Sequence, residues 1–575
     1  RGLAMSIPAR YARDVPNARG RPTIDAERHC AATEIEVPSF RLRPSHPSIE
    51  EFEAMNHKSF VTAAASVVAL SALGVAVAPA IAQDGEGECI IKQVTPNWVP
   101  GTEGEWGDTL GILAISENGK LVAYSSYTTL FLPDAAEMQG HLQQIIVRDR
   151  DTQEGELISV AFEPQPGETI SGNDHAQWYL GMSPNGRYVA WGSAATNLVG
   201  PEFEVTGEHI QAYVRDRWEG QTYIASVNNE GEVANNWSSL YRIGVSDNGR
   251  VVFASRATNL VPDQPQEMWQ VYVRDIHAGQ TYLASRDAWG NPSSQDASFP
   301  AISGDGTVVS FMSRAPLVSG QFWDSWNIFV HDFKIGTTEI MSVDEWGIDR
   351  AGFGDYSHLS ADGNRIAFRF DSINGPLDPN FPADYFSALY VRDRAANTIV
   401  GLSTTWDGQG ATLSPEMGFT FSANGRYLAW ESIDQVVEQP KVTPIWHVFR
   451  TDVDTGETVI IDVDRKCQPI PDQQDIMHSA ISADGMHVVW NSMWNVLQAD
   501  DFDWSRHLFV WSDPSAQDPG LIGDLNGDGV VDGADLGILL SNWGPCEDGD
   551  ICIGDLNGDG AIDGADLGML LNNWG

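Results

Sequence analysis

Ser183-Pro184-Asn185-Gly186-Arg187-Tyr188-Val189-Ala190-Trp191 is a tight turn running directly into an alternating β run. Asn-Gly and Asp-Gly supply the positive φ that a short hairpin turn needs, which makes them the strongest local hairpin signals. The same Ser-x-Asp/Asn-Gly turn stands at Ser116-Glu117-Asn118-Gly119, Ser246-Asp247-Asn248-Gly249, Ser303-Gly304-Asp305-Gly306, Ser360-Ala361-Asp362-Gly363, Ser422-Ala423-Asn424-Gly425 and Ser482-Ala483-Asp484-Gly485. Successive serines lie 67, 63, 57, 57, 62 and 60 residues apart, giving seven copies of one unit.

Within a unit, the turn joins a first and a second strand. After a variable loop comes a third apolar run ending in Asp: Val147-Arg148-Asp149, Val214-Arg215-Asp216, Val273-Arg274-Asp275, Val330-His331-Asp332, Val391-Arg392-Asp393 and Phe449-Arg450-Thr451-Asp452. A further turn leads to a fourth run, such as Thr222-Tyr223-Ile224-Ala225. Four antiparallel strands per unit, repeated seven times with almost no helical periodicity, predict a seven-bladed β-propeller over residues 89–513. A row of separate sandwiches is disfavoured, because one unit supplies one sheet and nothing to pack it against.

The seventh copy has a third strand at Leu508-Phe509-Val510-Trp511 and then breaks into Ser512-Asp513-Pro514. The missing strand is expected from Cys89-Ile90-Ile91-Lys92-Gln93-Val94, which closes the ring. That closure would put Cys89 one blade from Cys467, so a bridge between them is expected. Cys546 and Cys552 bracket a short acidic loop and can pair locally; free buried thiols are the alternative.

The 575-residue chain carries 34 Lys and Arg against 79 Asp and Glu, a formal net charge of −45. Binding to nucleic acid depends on neutralising phosphates with cations, so that partner class is excluded. With 42% apolar residues, 55 Gly and 20 Trp, the chain is too rich in large apolar side chains for a disordered polyanion. One stretch is apolar enough to enter a bilayer, the uncharged run 60–82, which comes after Met55 and Lys58 and ends Ala80-Ile81-Ala82 before Gln83-Asp84. Small-x-small before acidic residues reads as a signal-peptide cleavage site over 55–82; a membrane anchor, the alternative, would have a basic flank. No membrane span is then expected after cleavage, and the protein is expected to be secreted or at the cell surface. Residues 1–54 lack apolar periodicity and are read as a mis-set start or disordered segment. The acidity belongs to residues 83–575, since residues 1–82 hold nine basic and eight acidic side chains.

Beyond a linker at 514–522, residues 523–575 hold two nearly identical segments. Asp524, Asn526, Asp528, Val530, Asp532 and Asp535 occupy loop positions 1, 3, 5, 7, 9 and 12 of the first, with Gly529 at position 6. Asp555, Asn557, Asp559, Ala561, Asp563 and Asp566 align in the second. Calcium takes six to eight hard oxygens around such a loop, and the glycine permits its sharp bend. Short helices are expected at 536–540 and 567–571. A module this small has little core, so the metal would contribute to its folding.

The Ser-x-Asp/Asn-Gly turn, Val-Arg-Asp and the Ser-x-Ala-Thr-Asn-Leu-Val segment at 193–199 and 255–261 resemble the WD40-like, TolB-type propeller repeats of secreted bacterial proteins. That resemblance implies a fold and no particular chemistry. The duplicated loop followed by one helix resembles a type I dockerin, a family that docks its carrier onto cohesin-bearing partners in the presence of calcium. Its recognition pair corresponds to Gly533-Ala534 and Gly564-Ala565, which lack hydroxyls, so calcium binding carries over more safely than cohesin binding.

No zinc-protease, phosphate-loop or nucleophile-elbow motif occurs. His358 and His478, on innermost strands just before blade turns, are candidates to face the channel; packing histidines are the bland alternative. Trp289, Trp346 and Trp406 recur after the fourth strand of three consecutive blades, beside Gly290, Gly347 and Asp407-Gly408, and longer loops add Trp323, Trp326, Trp494 and Trp504. Indoles flanked by Asp and Asn suit stacking on sugar rings, so a glycan-binding face is the leading expectation, with tryptophans tucked between blades as the alternative. The functions in view are a binding or scaffold component for a glycan or protein, and, alternatively, a polysaccharide lyase or glycoside hydrolase working at the channel.

Overall fold

The computed structural model describes residues 89–94, 113–127, 132, 142–164, 170–262, 267–319, 325–348, 352–372, 375–382, 387–413, 419–442, 444–464, 467–470, 478–492, 507–514, 525, 531, 533–545, 554, 556 and 561–572. The expected signal segment 55–82 and residues 1–54, most of the linker, Trp323, Trp494, Trp504, Cys546 and Cys552 lie outside the described residues. So do the loop positions Asp524, Asn526, Asp528, Val530, Asp532, Asp555, Asn557 and Asp559.

Seven four-stranded antiparallel sheets follow one another along the chain. Blade 2 shows the pattern: Ala176–Met182 innermost, then Tyr188–Ser193, Gln211–Asp216 and Gln221–Ile224 at the outer edge. Blade 3 starts on Ser238–Val245, blade 4 on Ala297–Ile302, blade 5 on Gly352–Leu359 and blade 6 on Phe419–Phe421, each in the same order. In blade 7 the outer strand is Ile90–Gln93, paired antiparallel with His507–Ser512 from Ile90 opposite Ser512 to Gln93 opposite Phe509. The N-terminal strand therefore completes the last sheet. A Cys89–Cys467 disulfide ties its start to the connection leaving blade 6.

The serine of each turn explains why the motif repeats. Ser183 Oγ donates to Asn185 Oδ1 at 2.7 Å and accepts the Tyr188 N–H at 2.9 Å, while the Gly186 N–H reaches the Ser183 carbonyl at 2.8 Å. All seven turn glycines take φ between 68° and 79°, a region costly for any residue with a Cβ. The turns also bond to one another around the axis. Glu117 N–H donates to Pro184 O, Asn185 N–H to Asp247 Oδ1, Asp247 N–H to Gly304 O and Asp305 N–H to Ala361 O. Ala361 N–H donates to Ala423 O, Asn424 N–H to Ala483 O and Asp484 N–H back to Glu117 O. Seven links run from turn to turn, and the last returns to the first, so the ring is closed.

The Asp ending the third strand caps the outer hairpin. Asp216 Oδ1 accepts the N–H groups of Trp218 and Glu219, and the carboxylate pairs at 2.7 Å with Arg187, which immediately precedes the second strand. Burial opposes its ionisation, but Arg187 and these N–H bonds outweigh that and hold it below the usual carboxylate range. Inside blades 2 to 7, aromatic side chains face each other across the second and third strands: Trp191 with Tyr213, Phe253 with Tyr272, Phe311 with Phe329, Phe368 with Tyr390, Trp430 with Phe449 and Trp490 with Phe509; in blade 1 Tyr124 stands opposite Ile146. The aromatic ring centroids lie 5.6 to 5.9 Å apart and all these rings are buried, supplying cross-strand contact within the blade cores.

After the propeller come two helices, α1 (Gly533–Ser541) and α2 (Gly564–Asn572), which place Leu539 and Leu570 with Val531 and Ile562 in a separate small core.

Candidate functional site

The innermost strands of all seven blades line one cavity of about 210 Å³ on the axis, just inside the ring of turns. The residue before each turn serine is apolar: Ile115, Met182, Val245, Ile302, Leu359, Phe421 and Ile481 all reach this wall. Two places before the serine, five blades carry Ala or Gly, namely Ala114, Gly181, Gly244, Ala301 and Ala480. The blades need small residues there: a Cβ on Gly181 would lie 2.7 Å from the Ile243 carbonyl oxygen. Blades 5 and 6 break the pattern with His358 and Thr420.

His358 does face the channel lining, and there it meets Arg242 of blade 3. The Arg242 guanidinium donates to the Ser357 carbonyl at 2.8 Å and to His358 Nε2 at 2.5 Å, with the Phe419 carbonyl 3.1 Å from the same nitrogen. Desolvation first, then the neighbouring Arg242 charge, push His358 well below its ordinary value, so it is neutral at pH 7 and Nε2 serves as acceptor. Desolvation also lowers Arg242 to about 10, opposed only weakly by Tyr356. It remains a cation at pH 7. His478 immediately precedes the inner strand of blade 7, Ser479–Ile481, and stands outside the cavity wall.

A second polar group sits on the same blade 5 strand. Asp355 is buried and accepts from Arg369 at 2.5 Å. Desolvation raises its carboxyl to about 7; Arg369 pulls it down and Asp371 pushes it up. Tyr356 next to it takes φ 41°, packs edge-on against Phe299 at 5.0 Å, and is raised to about 12 by burial and by Asp355. Arg242, Asp355, Tyr356 and Arg369 escaped the sequence reading. A signal was present: Tyr179, Arg242, Phe299, Tyr356 and His478 all stand four places before a turn serine.

The tryptophans divide. Trp289 and Trp346 are 70% and 66% exposed at the tips of short hairpins, on the face opposite the ring of turns. Their tips are rigid: Asp287 Oδ1 accepts the N–H groups of Trp289 and Asn291, and Asp344 Oδ1 those of Trp346 and Ile348. Trp406 is 40% exposed with Lys441 Nζ 5.0 Å from its ring, so one face is taken. Trp326 packs between blades 4 and 5, edge-on to Phe353 with Arg314 over its ring, as in the alternative reading of tryptophans tucked between blades. The three hairpin tryptophans thus share one face on successive blades, and Trp326 does not join them.

In the C-terminal module, Asp535 and Asp566 are fully buried, and their Oδ1 atoms accept the N–H groups of Leu525 and Leu556 at 2.8 and 2.7 Å. Asp563 Oδ1 accepts the Ala565 N–H. Each repeat so ties its position-12 carboxylate to the backbone of position 2. Among the described residues, no group of three His, Cys, Asp or Glu is gathered as a metal site.

No family model matches the chain, and no curated protein matches it. Among solved structures it is similar to hydrazine synthase of Kuenenia stuttgartiensis, at 13% identity and TM-score 0.36, over 72% of this chain and 98% of that one. It is also similar to an oligogalacturonate lyase in complex with manganese, at 11% identity and TM-score 0.42, over 74% and 94% respectively. At these scores the likenesses carry no argument, and the fold rests on the seven four-stranded sheets themselves. The chain is an all-β seven-bladed propeller.

Proposed function

We propose that this protein is an exported binding or scaffold component whose propeller takes a glycan ligand on the tryptophan face. The observation that carries the reading is the pair Trp289 and Trp346, large apolar rings held open to solvent on rigid tips of adjacent blades. Exposed aromatics on a rigid scaffold suit stacking on sugar rings, and spacing over several blades suits a polymer. The channel favours binding over turnover: His358 Nε2 is taken up by Arg242, and 210 Å³ is below the ~300 Å³ at which ligand pockets usually begin.

The C-terminal module would attach the propeller to an extracellular or surface complex, with a cohesin-like protein as partner. The buried Asp535 and Asp566 carboxylates fit a calcium module. Asp524, Asn526, Asp528, Val530, Asp532 and Asp535 would hold one ion, and Asp555, Asn557, Asp559, Ala561, Asp563 and Asp566 the other. Bound Ca²⁺ would supply the positive charge that lets such carboxylates gather, and with it the folding of the module.

Asp355, with its raised carboxyl beside Tyr356 and Arg369, is the one feature favouring the second reading, a polysaccharide lyase or glycoside hydrolase. Calorimetry with a glycan panel, run beside an assay for new reducing or unsaturated ends, separates the two. Saturable heat without new ends supports the first reading; turnover overturns it. Capture of a protein partner with no glycan binding would point to a protein-interaction platform instead.

A further inference from the structure

We propose that Arg242 anchors a binding site for a small organic carboxylate in the axial cavity, on the opposite side of the molecule from the tryptophans. Three observations converge there. First, Arg242 lines the cavity as a cation with no carboxylate partner among the described residues; its contacts are the Ser357 carbonyl and His358. A part-buried guanidinium without a counter-charge is costly; Arg187, Arg217, Arg250, Arg365, Arg369 and Arg426 each meet an Asp or Glu, and Arg148 and Arg392, which do not, are buried against Gln153 and against the Val343 carbonyl and Asn397 rather than on a cavity wall. Second, two of its five N–H donors are used, which leaves three for a ligand, in a planar fork matched to a carboxylate.

Third, the surroundings are shaped for such a group. Thr420, also on the cavity wall, has a buried Oγ1 without a hydrogen-bond partner. Buried hydroxyls are normally satisfied, so this one points to a polar group that completes it. The remaining wall is chiefly Ala, Gly, Pro and the apolar residues preceding the turn serines, a low-polarity lining that strengthens a charge-assisted bond. His358, neutral and accepting from Arg242, fixes the fork in place. The two breaks in the small-residue pattern of the axis, His358 and Thr420, are thereby explained together with Arg242. An acetate- or lactate-sized anion fits the volume.

The test uses the full chain in chloride-free buffer at pH 7, titrated calorimetrically with sodium acetate and with sodium lactate. One binding event per chain is expected, with a matching rise in melting temperature. Arg242→Met should weaken binding about tenfold or more, and Thr420→Val a few-fold. Thr420→Val conserves shape, so its effect is readable even if Arg242→Met folds poorly. The Trp289→Ala/Trp346→Ala variant should bind acetate as the parent does, which separates this site from the glycan face. The proposal is overturned if neither anion produces heat or a thermal shift. It also fails if Thr420→Val and Arg242→Met bind like the parent, or if chloride competes as well as acetate, which would make the site a simple counter-ion nest.

Discussion

The two faces of the propeller are built from the same strands and differ in what surrounds their glycines. On the turn face, a Cβ on Gly363 would come within 2.6 Å of Val308, one on Gly485 would run into Tyr427, and one on Gly119 into His487, each on a neighbouring blade. On the opposite face, Gly290, Gly347 and Gly408 have equally positive φ but nothing within 4 Å of an added Cβ. The first face is interlocked, blade to blade, by seven turn-to-turn hydrogen bonds; the second presents separate tips. Repetition of sequence has gone into closing the ring, and variation has gone into the exposed hairpins. A ligand surface is expected where side chains are free to change without loosening the wheel.

The comparison can be broken most forcefully at the seam. Replacing Cys89 and Cys467 by Ser releases the strand that completes blade 7 and should cost about 2–5 kcal/mol in denaturant unfolding. A change below about 0.5 kcal/mol would mean that the ring is held without its seam. Next come the glycines themselves. Gly485→Ala adds steric overlap to an unfavourable φ and should cost about 2–4 kcal/mol, whereas Gly290→Ala meets open space and should cost about 1 kcal/mol. Equal losses would erase the distinction between the faces.

A pH-dependent effect belongs to Asp355. Its folded value is raised by burial to about 7, above the unfolded value, so its contribution is fully present below about pH 4 and is lost as pH rises toward 7. The loss should approach about 1.4 kcal/mol per pH unit within that window, and Asp355→Asn should flatten the profile of stability against pH there. The smallest stability effect is expected on the tip face. Trp289→Ala and Trp346→Ala should change unfolding by less than about 0.5 kcal/mol while weakening glycan binding.

The architecture was legible because its determinants are local. A Ser-x-Asn-Gly turn, an alternating run and an Asp at a strand end each act over a short stretch of chain, and seven copies leave little freedom in how they assemble. The Ile90–Gln93 closure was readable for a complementary reason, one blade lacking a strand and one strand lacking a blade. The site was only half legible. His358 could be placed on an inner strand, but its partner Arg242 lies 116 residues away on a blade two places back, and sequence spacing does not report contacts across a ring. Trp326 shows the same limit: it was grouped with the tip tryptophans, yet Arg314 of blade 4 and Phe353 of blade 5 pack it between the two blades. What distinguishes Trp289 and Trp346 is the Asp-anchored Gly turn beneath them, a feature that the flanking residues do carry.

The most direct test is affinity electrophoresis through gels containing soluble polysaccharides, comparing the parent with a Trp289→Ala/Trp346→Ala/Trp406→Ala variant of unchanged melting temperature. Retardation of the parent in at least one gel, lost in the variant, is the predicted result. A parent that migrates freely in every gel, or a variant retarded as strongly as the parent, would contradict assignment of ligand binding to the hairpin face.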